Sequence, residues 1–152
     1  MEPVLIIIRG VSGSGKSTFA DFLVNNLVQK FDDNHRSYIE QPQKFEADQW
    51  FVDNDEPWNP RYLQTAHEWC QAEVRKSLQA GYITIVSNTT IRAKELDTYI
   101  DIAKSFNVQY FLVIADGDYR NVHDVPQSKV EKQASGFWFN NMAMRSRFSG
   151  VQ

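Results

Sequence analysis

One cysteine, Cys70, is the only thiol in this 152-residue chain, so no intrachain disulfide can form and a reducing cytoplasm is the expected setting. The three histidines, His35, His67 and His123, are scattered, and none has metal-ligand spacing. His67-Glu68 lacks the second histidine of a zinc-binding helix. Positive charge is not in surplus: 16 Lys and Arg against 19 Asp and Glu give a formal net charge of −3. That balance argues against a broad basic groove tracking long nucleic acid, but not against a short end held by a few local cations. The apolar run Val4 to Ile8 is far too short to span a bilayer. Met1-Glu2-Pro3 carries no basic leader and no lipidation pattern is evident, so neither export nor membrane attachment is expected. Internal repeats and low-complexity linkers are missing too. What remains is a globular composition, 42% hydrophobic and 13% aromatic, at a length that suits one domain over residues 1–152 with its own core.

The strongest positive signal is Gly10-Val11-Ser12-Gly13-Ser14-Gly15-Lys16-Ser17, directly after Val4-Leu5-Ile6-Ile7-Ile8. This is the G-x-x-x-x-G-K-[ST] pattern of a phosphate-binding loop, placed between a strand and a helix as the motif requires. Gly10, Gly13 and Gly15 let the backbone curl and aim successive N–H groups at one point. Those donors, with Ser12, Ser14, Thr18 and the positive end of the following helix, form a nest for phosphate oxygens. Lys16 is expected to reach the β- and γ-phosphates of ATP, and Ser17 to offer its hydroxyl to Mg2+.

The rest of the chain alternates strands and helices. Val4–Arg9 is an apolar run typical of a strand covered on both faces. A helix is expected over Lys16–Gln29, followed by a turn at Asp32-Asp33-Asn34. Ser37–Glu40 and Lys44–Ala47 read as short strands broken by Gln41-Pro42. Asp53 to Asn59 reads as a loop, and Asn59 caps a helix that opens at Pro60. Leu63, Ala66, Cys70, Val74 and Leu78 form its apolar stripe, with Cys70 a small core residue, and Gly81 ends it. Tyr82–Val86 and Val108–Ala115 are expected strands around a helix at Ala93–Phe106, and a last helix opens at Pro126. The pattern predicts an α/β, three-layer P-loop NTPase fold, with a parallel sheet of about five strands and helices on both faces. Ligands in such folds bind beyond the carboxyl ends of the strands.

Several side chains fall on that rim. Asp48 is either a general base for an attacking hydroxyl or the N-cap of a helix starting at Gln49. Ser87 and Asn88 follow a strand where many P-loop enzymes place an aspartate that helps hold magnesium. Both can hydrogen-bond a metal-bound water, and Asn88 is a candidate substrate contact, while Thr89 or Thr90 caps the next helix. Arg92 either binds an acceptor phosphate or is a solvated side chain. Arg120 either neutralises charge on a transferred phosphoryl group or is a surface charge, and Lys129 and Lys132 are candidates of the same kind. Trp50, Phe51, Trp58 and Tyr62 cluster in sequence, as core packing or as a surface for stacking a base.

Four blocks together resemble one family: Arg9 to Thr18, Ala47 to Phe51, Ala66-His67-Glu68-Trp69-Cys70 through Val86-Ser87-Asn88-Thr89, and Asn121 to Pro126. Over roughly Val4 to Phe139 the chain is similar to small P-loop kinases and ATPases related to the 5′-kinase domain of bacteriophage polynucleotide kinase. These include short ATP-binding proteins of phages and bacteria, and domains in NEDD4-binding protein 2-like proteins. The resemblance implies that Asp48 is the general base and that Arg120 is a lid arginine on the ATP phosphates. The chain departs from the family in four places. The strand-end aspartate is at neither Ser87 nor Asn88. The segment from Ala115 to Pro126 is short, Asp124 stands where glycine is usual, and Phe51 stands where the phage kinase has a basic residue.

The expectation is an ATP- and Mg2+-dependent kinase that phosphorylates a hydroxyl, with a nucleic-acid end or nucleotide 5′-hydroxyl as acceptor. The alternatives are an ATP-binding switch that hydrolyses slowly and acts on a protein partner, and a small-metabolite kinase.

Overall fold

The computed structural model describes residues 2–11, 13–89 and 93–117. Ser12, Arg92, Arg120, Lys129, Lys132 and the helix expected after Pro126 lie outside the described residues.

β1 (Val4–Arg9) is the centre of the fold because its side chains are apolar on both faces. Leu5, Ile7 and Ile8 are fully buried, and each contributes about 1.5–3 kcal/mol. β5 (Thr84–Asn88) and β6 (Gln109–Ile114) flank β1 in parallel, with Ile7 opposite Val86 and Leu112. β4 (Gln43–Phe45) adds in parallel beyond β5, giving a four-stranded sheet of order β4-β5-β1-β6 among the described residues. The expected sheet was about one strand larger.

Helices cover both faces. α1 (Lys16–Asn26) lies on one, where Ala20 packs with Ile8 and Ile85. α3 (Leu63–Gln79) and α4 (Ala93–Ser105) cover the other, joining Cys70, Val74, Leu96 and Ile102 to Leu5, Ile7 and Val86. A single turn of 3-10 helix at Pro60–Tyr62 leads into α3, and Asn59 Oδ1 accepts the Arg61 N–H at 2.9 Å, as a cap should.

Several elements differ from the sequence reading: β5 covers Thr84–Asn88 rather than Tyr82–Val86, so Ser87 and Asn88 lie within the strand, β4 covers Gln43–Phe45 rather than Lys44–Ala47, and other differences are larger. α1 stops at Asn26 and does not run to Gln29, because Gln29 is recruited elsewhere. Its buried amide donates to Gly81 O at 2.6 Å and accepts the Ile83 N–H at 2.7 Å, which clasps β2 (Gln29–Asp32) to the start of β5. β2 then pairs antiparallel with β3 (Ser37–Glu40) as a separate hairpin. Its turn is set by Asp33, whose carboxylate accepts the N–H groups of His35 and Arg36, each at 2.8 Å. Finally, a short helix α2 (Gln49–Asp53) begins at Gln49, where the alternative reading of Asp48 as an N-cap places a helix start, and runs to Asp53, the first residue of the expected loop.

Parallel strands in register bring their carboxyl ends to one rim. Arg9 sits opposite Asn88 on one side and Ile114 on the other. The chain leaves β1 at Gly10 and returns as α1 at Lys16, so the phosphate-loop motif occupies that rim.

Candidate active site

The loop is shaped by backbone constraints that the motif encodes. Gly13 and Gly15 hold φ of 82° and 90°, in the left-handed region that side chains disfavour. Gly10 is required by space: a Cβ there would lie 2.3 Å from Ser14 Oγ and 2.8 Å from Ala115 O. The end of β6 straps the loop, since Ala115 N–H donates to Arg9 O at 2.7 Å and Gly117 N–H to Ser14 O at 3.1 Å. Gly15 is the N-cap of α1 and supplies no side-chain cap. The first-turn N–H groups are therefore available to an anion.

Lys16 opens α1 and is only 9% exposed. Burial lowers its pKa below 10.5, and the negative charges of Glu46 and Asp48 oppose that shift. A buried ammonium in a phosphate loop is suited to a polyanion, whose negative charge would offset the cost of its burial. Ser17 lies on the next position and donates from Oγ to Glu46 Oε1 at 3.3 Å. Thr18 is exposed, whereas Ser14 is buried with an Oγ that has no hydrogen-bond partner among the described residues.

Asp48 stands at the start of α2, where the sequence reading allowed a cap. It is the N-cap residue of α2, yet its φ and ψ of −62° and −21° are helical and its side chain caps nothing. The carboxylate is exposed and its charge reaches Lys16. The segment that carries it is held from below: Ala47 N–H donates to Asn88 Oδ1 at 2.7 Å. Asn88 is buried and its Nδ2 donates to the Tyr99 hydroxyl at 3.2 Å and toward Cys70 Sγ at 3.7 Å. Its side chain thus serves the loop that presents Asp48. Burial pushes the Cys70 thiol up, which keeps it protonated as a core residue.

The aromatic residues divide. Phe51 is core, and Trp50 packs edge-on against it at 5.2 Å and beside Tyr62 at 5.6 Å, while Trp58 is exposed. No group of three or more His, Cys, Asp or Glu side chains able to hold a metal occurs among the described residues. No helix of the described residues is long and apolar enough to cross a membrane.

The profile of a family described as AAA domain matches residues 5–136. The chain belongs to that family. NEDD4-binding protein 2 of Homo sapiens is 27% identical over 142 residues, which cover 85% of this AAA-domain chain and 7% of the human protein. The chain therefore spans a small fraction of that relative's length. A chain of the Pnkp1/Rnl/Hen1 RNA repair complex superposes with a TM-score of 0.68 at 18% identity, over 93% of this chain and 46% of its own. The Mycobacterium tuberculosis APS kinase CysC, solved in complex with AMPPNP and APS, superposes with a TM-score of 0.57 at 13% identity, over 99% of this chain and 77% of its own. These likenesses show the fold, a P-loop kinase-like α/β domain, and agree with the resemblance that the four sequence blocks carry.

Within this family member the structure brings together Gly10, Gly13, Ser14, Gly15, Lys16, Ser17, Asp48 and, one layer beneath, Asn88. One residue of the group, Glu46, escaped the sequence reading. Its signal is the alternation Lys44-Phe45-Glu46: once Phe45 is turned to the α3 side, Glu46 must face α1.

Proposed function

We propose that this protein is an ATP-dependent phosphotransferase acting on a hydroxyl acceptor, with a nucleic-acid or nucleotide 5′-hydroxyl as the favoured class. The observation that carries the proposal is the phosphate loop at the carboxyl rim of the sheet, with Lys16 buried at the start of α1, followed beyond β4 by Asp48, an exposed carboxylate that caps no helix. In this reading the loop amides and Lys16 bind the β- and γ-phosphates and neutralise charge as the γ-phosphoryl group leaves. Asp48 accepts the proton of the attacking hydroxyl. The new bond joins the acceptor oxygen to the γ-phosphorus, the bond from that phosphorus to the β-γ bridging oxygen breaks, and ADP departs. Arg120 is proposed to contact the transferred group from the segment before Pro126, on the strength of the family resemblance.

The donor set fits a magnesium ion carried by the nucleotide. Magnesium keeps water and phosphate oxygens and needs few protein ligands. Ser17 offers a hydroxyl whose proton is already engaged by Glu46. The ion would supply charge neutralisation at the phosphates.

A second reading, a nucleotide-binding switch with slow hydrolysis, is favoured by the neutral Ser87-Asn88 pair at the end of β5. Labelled ATP separates the two. Turnover that rises when 5′-hydroxyl oligonucleotides, nucleosides or small hydroxyl metabolites are added, with label in the acceptor, supports the kinase and names its acceptor class. Tight ATP binding with turnover indifferent to every acceptor contradicts it.

A further inference from the structure

Phe45 ends β4 in register with Val86, and the next residue on each chain segment is Glu46 and Ser87. Ile85 packs into the α1-side cluster, and alternation turns Ser87 to that same side, toward the phosphate loop. Ser87 is 3% exposed and its Oγ has no hydrogen-bond partner among the described residues. Glu46, about a quarter exposed, is braced by Lys44, whose Nζ lies 4.0 Å from its Oε1 and 2.5 Å from Asp21 on α1. The same Oε1 accepts the Ser17 hydroxyl at 3.3 Å.

A hydroxyl has one proton and two lone pairs. When a fixed carboxylate takes the proton, the lone pairs are turned to the other side and the oxygen becomes a better ligand for a hard cation. In many P-loop enzymes an acid at a strand end helps hold that cation together with the loop hydroxyl. Here the last two residues of β5, Ser87 and Asn88, are uncharged, the Ser87 hydroxyl has no partner among the described residues, and the carboxylate stands just past the next strand out. We propose that Glu46 is the positioning residue that prepares Ser17 for the nucleotide's magnesium ion, acting from just past the end of β4 in place of an acid at Ser87. This rests on the reading that the loop binds a nucleoside triphosphate.

Calorimetric titration of a non-hydrolysable ATP analogue, once with Mg2+ and once with EDTA, tests it on the parent, Glu46→Gln, Glu46→Asp and the double variant Glu46→Gln/Ser87→Asp. The parent should bind more tightly with magnesium. Glu46→Gln should lose about tenfold to a hundredfold of affinity in magnesium, the usual cost of removing a group that orients a metal ligand. In EDTA it should bind as well as the parent or better, since a negative charge near the phosphates is gone. Glu46→Asp keeps the charge and should retain much of the magnesium effect, and Ser87→Asp should restore part of it in the double variant. Glu46→Gln with the parent's ratio of magnesium to EDTA affinities overturns the proposal, as does an equal loss in both conditions. A parent that binds nucleotide in neither condition overturns the underlying reading instead.

Discussion

At the scale of single residues, Lys16 is the group whose chemistry the fold has altered most usefully. Its pKa is lowered by burial, so the unfolded chain holds that proton more tightly than the folded one. Folding is therefore favoured as pH rises through the folded value toward 10.5, and burying the charge costs stability below it. A bound polyphosphate reverses the shift by supplying negative charge. Nucleotide binding in the alkaline range just below the ordinary lysine pKa should thus take up protons. Titrations in two buffers of different ionisation enthalpy should give different apparent binding enthalpies there and equal ones near neutrality; equal values throughout would contradict the lowered pKa. In the proposed reaction Asp48 belongs to the other half. Asp48→Asn removes a proton acceptor and no nucleotide contact, so kcat should fall by about 10²–10⁴ with little change in ATP affinity. A wild-type rate in that variant would remove Asp48 from the chemistry.

Elements decide whether those residues meet. Asn88, at the end of β5, reaches under the segment between β4 and α2 and holds Ala47, the neighbour of Asp48. Asn88→Ala leaves the Ala47 N–H without its acceptor and should cost about 1–3 kcal/mol of stability, measured by urea unfolding. It should also lower kcat more than ATP affinity, because the side-chain bond that is lost holds the segment of Asp48. Much at this scale was legible in the sequence. β1, the strand Ser37–Glu40, the Asn59 cap and the stripe of α3 follow from periodicity and capping chemistry alone, and the glycines of the phosphate loop announce themselves by spacing. The failures have tertiary causes. The end of α1 was missed because Gln29 is drawn into hydrogen bonds with Gly81 and Ile83, about fifty residues on in sequence. α2 has five residues, too few to show a period. Glu46 gained meaning only once β4 was seen beside β5.

The whole molecule is built unevenly about its sheet. The side covered by α3 and α4 holds the larger cluster, with Leu96 and Val74 among its buried members. The α1 side holds a smaller one, and Phe22 on α1 is 57% exposed. Stability should therefore reside on the α3–α4 side, leaving the α1 side to serve the ligand. Leu96→Ala is expected to cost about 2–5 kcal/mol, whereas Phe22→Ala should stay within about 1 kcal/mol. Urea unfolding of both variants checks this, and comparable losses would contradict the asymmetry.

All of these roles depend on a triphosphate settling in the loop between β1 and α1. Calorimetry with ATP and GTP in the presence of Mg2+, on the parent and on Lys16→Ala, measures that directly. We expect saturable binding of one nucleotide per parent chain and a loss of roughly tenfold to a hundredfold in Lys16→Ala, the weight of a charge-assisted contact. A parent chain that binds neither triphosphate, or a Lys16→Ala chain that binds as well as the parent, would contradict it.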